Sequence, residues 1–168
     1  AKHLKSKKTA VFIDAANILY SQQTLGWQLD YKKLAKALNK DFKIIFLGFY
    51  YGEIKENKGQ ERFFQMLKDR GYTLRTKPVK YIKTPKGTIL KGNLDIELAY
   101  DIFRLQEKFD TCILFSGDSD FEIVLKYLRT LKKQVIVVSS KGHVSIELIK
   151  NSDKYLDLKK FRSLLERT

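Results

Sequence analysis

The sequence holds a single cysteine, Cys112, so no disulfide can form within the chain. One cysteine and two histidines also fall short of the thiolate and imidazole sets that zinc usually takes. Cys112 lies in the apolar run TCILFSG and reads as a buried small hydrophobe. No segment approaches the ~20 apolar residues of a membrane-spanning helix. The start, AKHLKSKK, is basic and lacks the apolar stretch of a signal peptide, so a cytoplasmic chain with no membrane partner is expected. No GxGxxG follows the first predicted strand, which disfavours a dinucleotide-dependent oxidoreductase. Repeats and low-complexity linkers are missing too. A basic, solvated N-terminal arm over residues 1–8 and one domain over residues 9–168 are therefore expected. Acidic residues are the scarce charge: 19 Asp plus Glu stand against 33 Lys plus Arg, a formal charge of +14. Such an excess draws in polyanions through counterion release and makes nucleic acid the expected partner. With 43% hydrophobic and 12% aromatic residues, the chain can still bury a core.

What is present alternates. The run AVFI (residues 10–13) predicts a buried strand, followed by helical DAANILYSQQ and the amphipathic LDYKKLAKALNK. FKIIFLGFYYG, from residue 42, predicts a strand, and GQERFFQMLKDRG a helix stopped by Gly71. Residues 73–82 and 88–91 read as two strands of a hairpin turning through Thr84, Pro85, Lys86 and Gly87. NLDIELAYDIFRLQEKF then predicts a helix capped by Asn93, TCILFSG a strand, DSDFEIVLKYLRTLKK a helix and QVIVVSS a strand. VSIELIKNSD, YLDL and KKFRSLLER close the chain as a short helix, an edge strand and a last helix. The expected class is α/β, with a mainly parallel central sheet, helices on both faces and a basic β-hairpin insertion. Ligands in such folds bind beyond the carboxyl ends of the strands.

Four aspartates stand where apolar runs give way to new elements: Asp14 in VFIDAAN, Asp95 in KGNLD, and Asp118 and Asp120 in SGDSDF. Stepping ~100° per residue groups Asp95 with Ala99, Ile102 and Gln106, and Asp120 with Val124, Tyr127 and Leu131, so both carboxylates are expected to face inward. Helix capping accounts for any one of the four, but inward placement on two helices is no capping requirement. Carboxylates gathered at strand ends repel one another unless a cation sits among them. An all-oxygen set fits Mg²⁺ or Mn²⁺.

These segments, FIDAAN, KGNLD and SGDSDF in this order and spacing, resemble the NYN domain, the LabA-like group of the PIN-like nuclease superfamily. The resemblance runs from about Thr9 to about Leu158. It implies a three-layer, Rossmann-like PIN fold and metal-dependent RNA cleavage, with the family's acidic residues at Asp14, Asp95, Asp118 and Asp120 and its asparagine at Asn17. Ala15 and Ala16 depart from the glycine or other small residue of many members, yet keep the small size.

The expected chemistry is endonucleolytic hydrolysis of single-stranded RNA by a metal-activated water, with Asn17 and Ser116 orienting water or phosphate. Lys91 is placed to contact the backbone. Arg75, Lys77, Lys80, Lys83, Lys86 and Lys91 surround Tyr81 with no acidic residue between positions 75 and 91, a pattern that reads as a phosphate track or, blandly, a solvated face. Tyr50 and Tyr51 are candidates for base stacking, against core packing as the plainer account. His143 in SSKGHVS reads more simply as an incidental loop residue than as a general base, Ser145 as a helix cap, and Trp27 as packing. Three alternatives frame this reading. A phosphatase of the haloacid-dehalogenase type needs a second aspartate where Ala16 stands, and is disfavoured. An RNA-binding or protein-interaction module with the same fold but no cleavage is the stronger rival. Lysine- and tyrosine-rich surfaces also suit DNA or a homodimer.

Overall fold

The computed structural model describes residues 7–53 and 57–168. Residues 1–6 of the expected arm lie outside them, and its last residue, Lys8, opens the first strand. The chain runs β1 (Lys8–Asp14), α1 (Ala15–Leu25), α2 (Tyr31–Asp41), β2 (Lys43–Glu53), α3 (Lys58–Asp69) and β3 (Thr73–Pro78). A hairpin follows, β4 (Lys80–Thr84) and β5 (Gly87–Lys91), then α4 (Asp95–Leu105) and β6 (Thr111–Phe115). A 3₁₀ turn (Ser119–Phe121), α5 (Glu122–Thr130), β7 (Gln134–Ser139), α6 (Ile146–Lys150), β8 (Lys154–Asp157) and α7 (Arg162–Leu165) complete it.

Six strands form one sheet in the order β3-β2-β1-β6-β7-β8, every pair parallel. β1 and β6 lie at its centre, and all five residues of β6 are buried, as expected of strands covered on both faces. Val11, Ile13, Phe49 and Ile113 point to a core closed by α1, α2 and α3 through Ile18, Leu34, Leu38 and Leu67. Ala10, Phe12, Cys112 and Leu114 point to the other core, closed by α4, α5 and α6 through Leu98, Ile102, Leu125 and Leu148. Right-handed crossovers require this division: the chain steps outward from β1 to β3, returns through α4 to β6, and steps outward the other way. The order reverses between β1 and β6, so a crevice opens at their carboxyl ends. Trp27 is buried in the first core, and Cys112 in the second, where burial pushes its thiol well up.

Three expectations are corrected. Residues 73–82 are not one strand: Thr73–Pro78 pair with β2 in the main sheet, and only Lys80–Thr84 join the hairpin. Pro78 cannot donate to a ladder and ends the edge strand there. The hairpin turn itself falls as expected, with Thr84 paired to Gly87, whose φ of +121° suits glycine. Asn93 does not cap α4 in the expected way; Leu94 holds the cap position without a side-chain bond, and Asn93 Oδ1 accepts only a long 3.5 Å bond from Asp95 N. Asp120 does not face the core. It belongs to the 3₁₀ turn, whose ~120° step resets the phase, so Phe121, Val124, Leu125 and Leu128 are buried while Asp120, Tyr127 and Leu131 are exposed.

Candidate metal centre and nucleic-acid interface

Asp14 ends β1, caps α1 by accepting from Asn17 N (3.4 Å), and takes a 2.9 Å bond from Ser116 Oγ at the end of β6. Ser116 is fully buried, and its Oγ in turn accepts from Asp118 N at 3.2 Å. One hydroxyl thus joins the first aspartate to the SGDSDF loop. Asp118 caps the 3₁₀ turn through Asp120 N (2.9 Å), and α4 brings Asp95 across from its first turn. The result is a trio: one carboxylate oxygen from each of Asp95, Asp118 and Asp120 lies within 4.8 Å of the others.

Asp14, the fourth expected aspartate, is not in this mutual group; its oxygens accept from Asn17 N and from Ser116 Oγ. Its charge is still felt. Burial, then repulsion from Asp14, Asp118 and Asp120, raises the Asp95 carboxyl from 3.8 to about 6. Asp14 is raised as well, by burial first, with the Ser116 bond opposing and the Asp118 charge adding. Mutual repulsion among two half-buried carboxylates and one exposed one, with no nitrogen or sulfur ligand in the group, fits a hard divalent cation such as Mg²⁺ or Mn²⁺.

Asn17 and Ser116 do not face outward to orient water or phosphate. Asn17 Nδ2 donates to the His143 carbonyl (3.1 Å), and its Oδ1 accepts from Ser139 Oγ (3.0 Å), so the amide ties α1 to the end of β7 and to the loop that follows it. The His143 ring bonds Thr24 Oγ1 at 2.6 Å, and Ser145 caps α6 through Leu148 N as expected. Gly117 lets this segment close on the SGDSDF loop: a Cβ there would stand 1.7 Å from the His143 carbonyl oxygen. Ser145 N donates to Gly117 O across the same contact.

The basic residues divide. Lys80, Lys83, Lys86 and Lys91 are exposed on the hairpin together with Tyr81, and the backbone bond from Val79 N to Glu53 O (3.0 Å) fastens its base to β2. Lys91 leads through residues 92–94 directly to Asp95. Arg75 and Lys77 are instead paired, Arg75 with Asp101 (3.1 Å) and Lys77 with Glu97 (3.0 Å), so they do not belong to the hairpin track. Tyr50 is buried and donates its hydroxyl to Asp101 (2.6 Å), and Tyr51 packs on Phe49 and Phe64; base stacking by Tyr50 is corrected, and Tyr51 is half-buried in aromatic packing.

Asp101 was missed by the sequence reading. It is 3% exposed and holds Tyr50, Arg75 and Arg104, and although burial alone would raise it, the bonds from Tyr50, Arg104 and Arg75 keep its carboxyl below the ordinary range. A signal existed: Asp101 lies three residues from Leu98 and four from Leu105, on the apolar stripe of α4.

No helix among the described residues is long and apolar enough to cross a membrane. Among solved structures, a protein of unknown function from Vibrio parahaemolyticus superposes with a TM-score of 0.79 at 23% identity, over 90% of this chain and 93% of that one, which shows a shared fold. Among characterised proteins, the "Low amplitude and bright protein LabA" of Synechococcus elongatus is 34% identical over 98% of this chain and 90% of its own length. The NYN domain profile matches residues 8–159, and the chain belongs to the NYN domain family, whose members are generally nucleases of the PIN-like superfamily.

Proposed function

We propose that this protein is a divalent-metal-dependent endoribonuclease that hydrolyses single-stranded RNA. The observation that carries the reading is the convergence of Asp95, Asp118 and Asp120 at the β1/β6 crevice. These three, with Asp14, would hold Mg²⁺ or Mn²⁺. Such an ion supplies Lewis acidity toward the phosphate and the attacking water. The chain's own groups do the rest. Ser116 fixes the separation of Asp14 from Asp118, and the Asn17–Ser139–His143 bonds brace the loop that carries Asp118 and Asp120. Asp95, raised to about 6, holds a proton in mildly acidic solution that cation binding would displace, so metal affinity should rise with pH. The exposed lysines of the hairpin and Lys91 attract the backbone and lead it toward Asp95. In this reading one domain over residues 9–168 carries the activity, RNA is the partner and the cytoplasm the location.

The test is incubation of a labelled single-stranded RNA with wild type and Asp118→Asn in Mn²⁺, Mg²⁺ and EDTA. Cleavage by wild type only when metal is present, and none by the variant, is expected. RNA that is bound but left intact by wild type in both metals refutes cleavage and leaves a binding module.

A further inference from the structure

We propose that one flank of α4 is a nucleotide subsite, in which Arg75 and Arg104 take a backbone phosphate and Tyr100 a base. The proposal rests on RNA as the partner and does not require that RNA be cut.

Ile96, Glu97, Tyr100, Asp101 and Arg104 recur at spacings of one, three, one and three along α4, so they share one flank, and with Arg75 from the edge strand they line a single surface pocket. Its floor is the buried Asp101 carboxylate. Arg75 gives Asp101 its Nε (3.1 Å) and Arg104 one terminal nitrogen (3.0 Å), and among the described residues these are the guanidiniums' hydrogen bonds. Each keeps several donors open. One carboxylate against two guanidiniums leaves the pocket cationic, while Lys77 and Glu97 offset each other at its side. Neutralising Asp101 would need only one arginine, since the Tyr50 hydroxyl already donates to it. The second arginine makes a pair of forks whose positions are fixed in advance, the arrangement suited to phosphate.

The other lining groups suit the rest of a nucleotide. Tyr100 is 64% exposed and Ile96 81%, which leaves a ring face and an apolar side chain beside the arginines. Glu97 puts Oε1 on Lys77, whereas Oε2 is buried without a hydrogen-bond partner. The pocket is within reach of the carboxylate trio. Asp14, Tyr50 and Arg75 sit in one register across β1, β2 and β3, two strand spacings or about 10 Å end to end. α4 itself carries Asp95 at its start and Arg104 one residue before its end, ~14 Å apart along the axis. Arg104 also lies about half a turn around the axis from Asp95, so one oligonucleotide touches both by passing around the start of α4.

Fluorescence anisotropy in EDTA, where no cleavage occurs, tests the pocket with an eight-nucleotide single-stranded RNA and the DNA of the same sequence. Tyr100→Ala should weaken RNA binding by about fivefold to a hundredfold, the usual loss for one stacked base. Arg104→Gln, which leaves Arg75 on Asp101, should weaken both nucleic acids and flatten the dependence of log K on log salt by about one. Because Tyr100 is exposed, its replacement leaves the fold intact even where an Arg104 variant fails to fold. Wild-type affinity in Tyr100→Ala overturns the proposal, as does a variant whose only change is in self-association by sedimentation. Unchanged binding with metal-dependent cleavage retained would remove the pocket and keep the nuclease; weakened binding by a chain that never cuts would do the reverse.

Discussion

Replacing Asp95 with asparagine should stabilise the metal-free protein at neutral pH while removing most of its stabilisation by metal. Asp95 is half-buried in the first turn of α4, and burial followed by the charges of Asp14, Asp118 and Asp120 raises its carboxyl from 3.8 to about 6. The folded state therefore holds this proton more tightly than the unfolded chain. The stability it contributes is fully present below about pH 3.8 and is lost as pH rises through about 6. At face value that loss is ~3 kcal/mol. Solvent screening of a group about half exposed reduces it to ~1 kcal/mol. Asparagine has nearly the same shape and no charge, so at pH 7.5 in EDTA the variant should gain ~1 kcal/mol, or about 2–4 °C in Tm. Near pH 3.8 the two proteins should converge, because wild-type Asp95 is then protonated. Adding Mn²⁺ at pH 7.5 should raise the wild-type urea midpoint with concentration, as any ligand confined to the folded state does, and move the variant far less. A variant less stable than wild type in EDTA at pH 7.5 would refute the repulsion argument. An equal response to Mn²⁺ in both proteins would remove Asp95 from the metal site.

Lys80→Glu with Lys83→Glu should weaken binding of single-stranded RNA and lower the slope of log K against log salt by about two, measured by anisotropy across a salt series; an unchanged slope means the hairpin does not touch phosphate. Gly117→Ala sets a methyl against the His143 backbone at 1.7 Å, where no flexible side chain can yield, so a loss of about 3 kcal/mol or more is expected in urea unfolding. Wild-type stability there would contradict the close approach of the two loops. Tyr50→Phe takes a donor from the buried Asp101 carboxylate and should cost about 1.5–3 kcal/mol in stability, with RNA affinity unchanged if the ring is structural.

The sheet was legible because its central strands are continuous apolar runs, AVFI and TCILF, which a two-sided burial demands and a one-sided sheet does not. The turn Thr84–Gly87 was legible from its proline and glycine. Less so was the boundary at Pro78, since the residues on either side of it pair with different partners and both stretches suit extended backbone. The direction of Asp120 was misread for a local reason: a single 3₁₀ turn before Glu122 shifts every later helical position. Tyr50 and Tyr51 point to opposite faces of β2, and the hydroxyl of Tyr50 is received by Asp101, a residue 51 positions away. No periodicity within one segment reports such a contact. Arg75 and Lys77 looked like part of an unpaired basic run for the same reason, because Asp101 and Glu97, which each pair with one of their nitrogens, come from α4.

Capping and metal binding entered as competing accounts of the aspartates, and the geometry shows that they are not exclusive. A carboxylate has two oxygens. Asp118 spends Oδ1 on Asp120 N and still joins the trio, whereas Asp14 spends Oδ1 on Asn17 N and Oδ2 on Ser116 and stands outside it. The cap therefore fixes where each group sits, and because each carboxylate oxygen has a second lone pair, a capping bond leaves it able to bind a cation. Removing the Ser116 hydroxyl with Ser116→Ala should free Asp14 Oδ2 and leave Asp118 N without its partner at once, so the loop and the fourth carboxylate are coupled through one atom. Mn²⁺ affinity measured by calorimetry should change in this variant by more than the loss of one neutral hydrogen bond, ~1 kcal/mol, accounts for. An affinity equal to that of wild type would mean that Asp14 and the SGDSDF loop act independently.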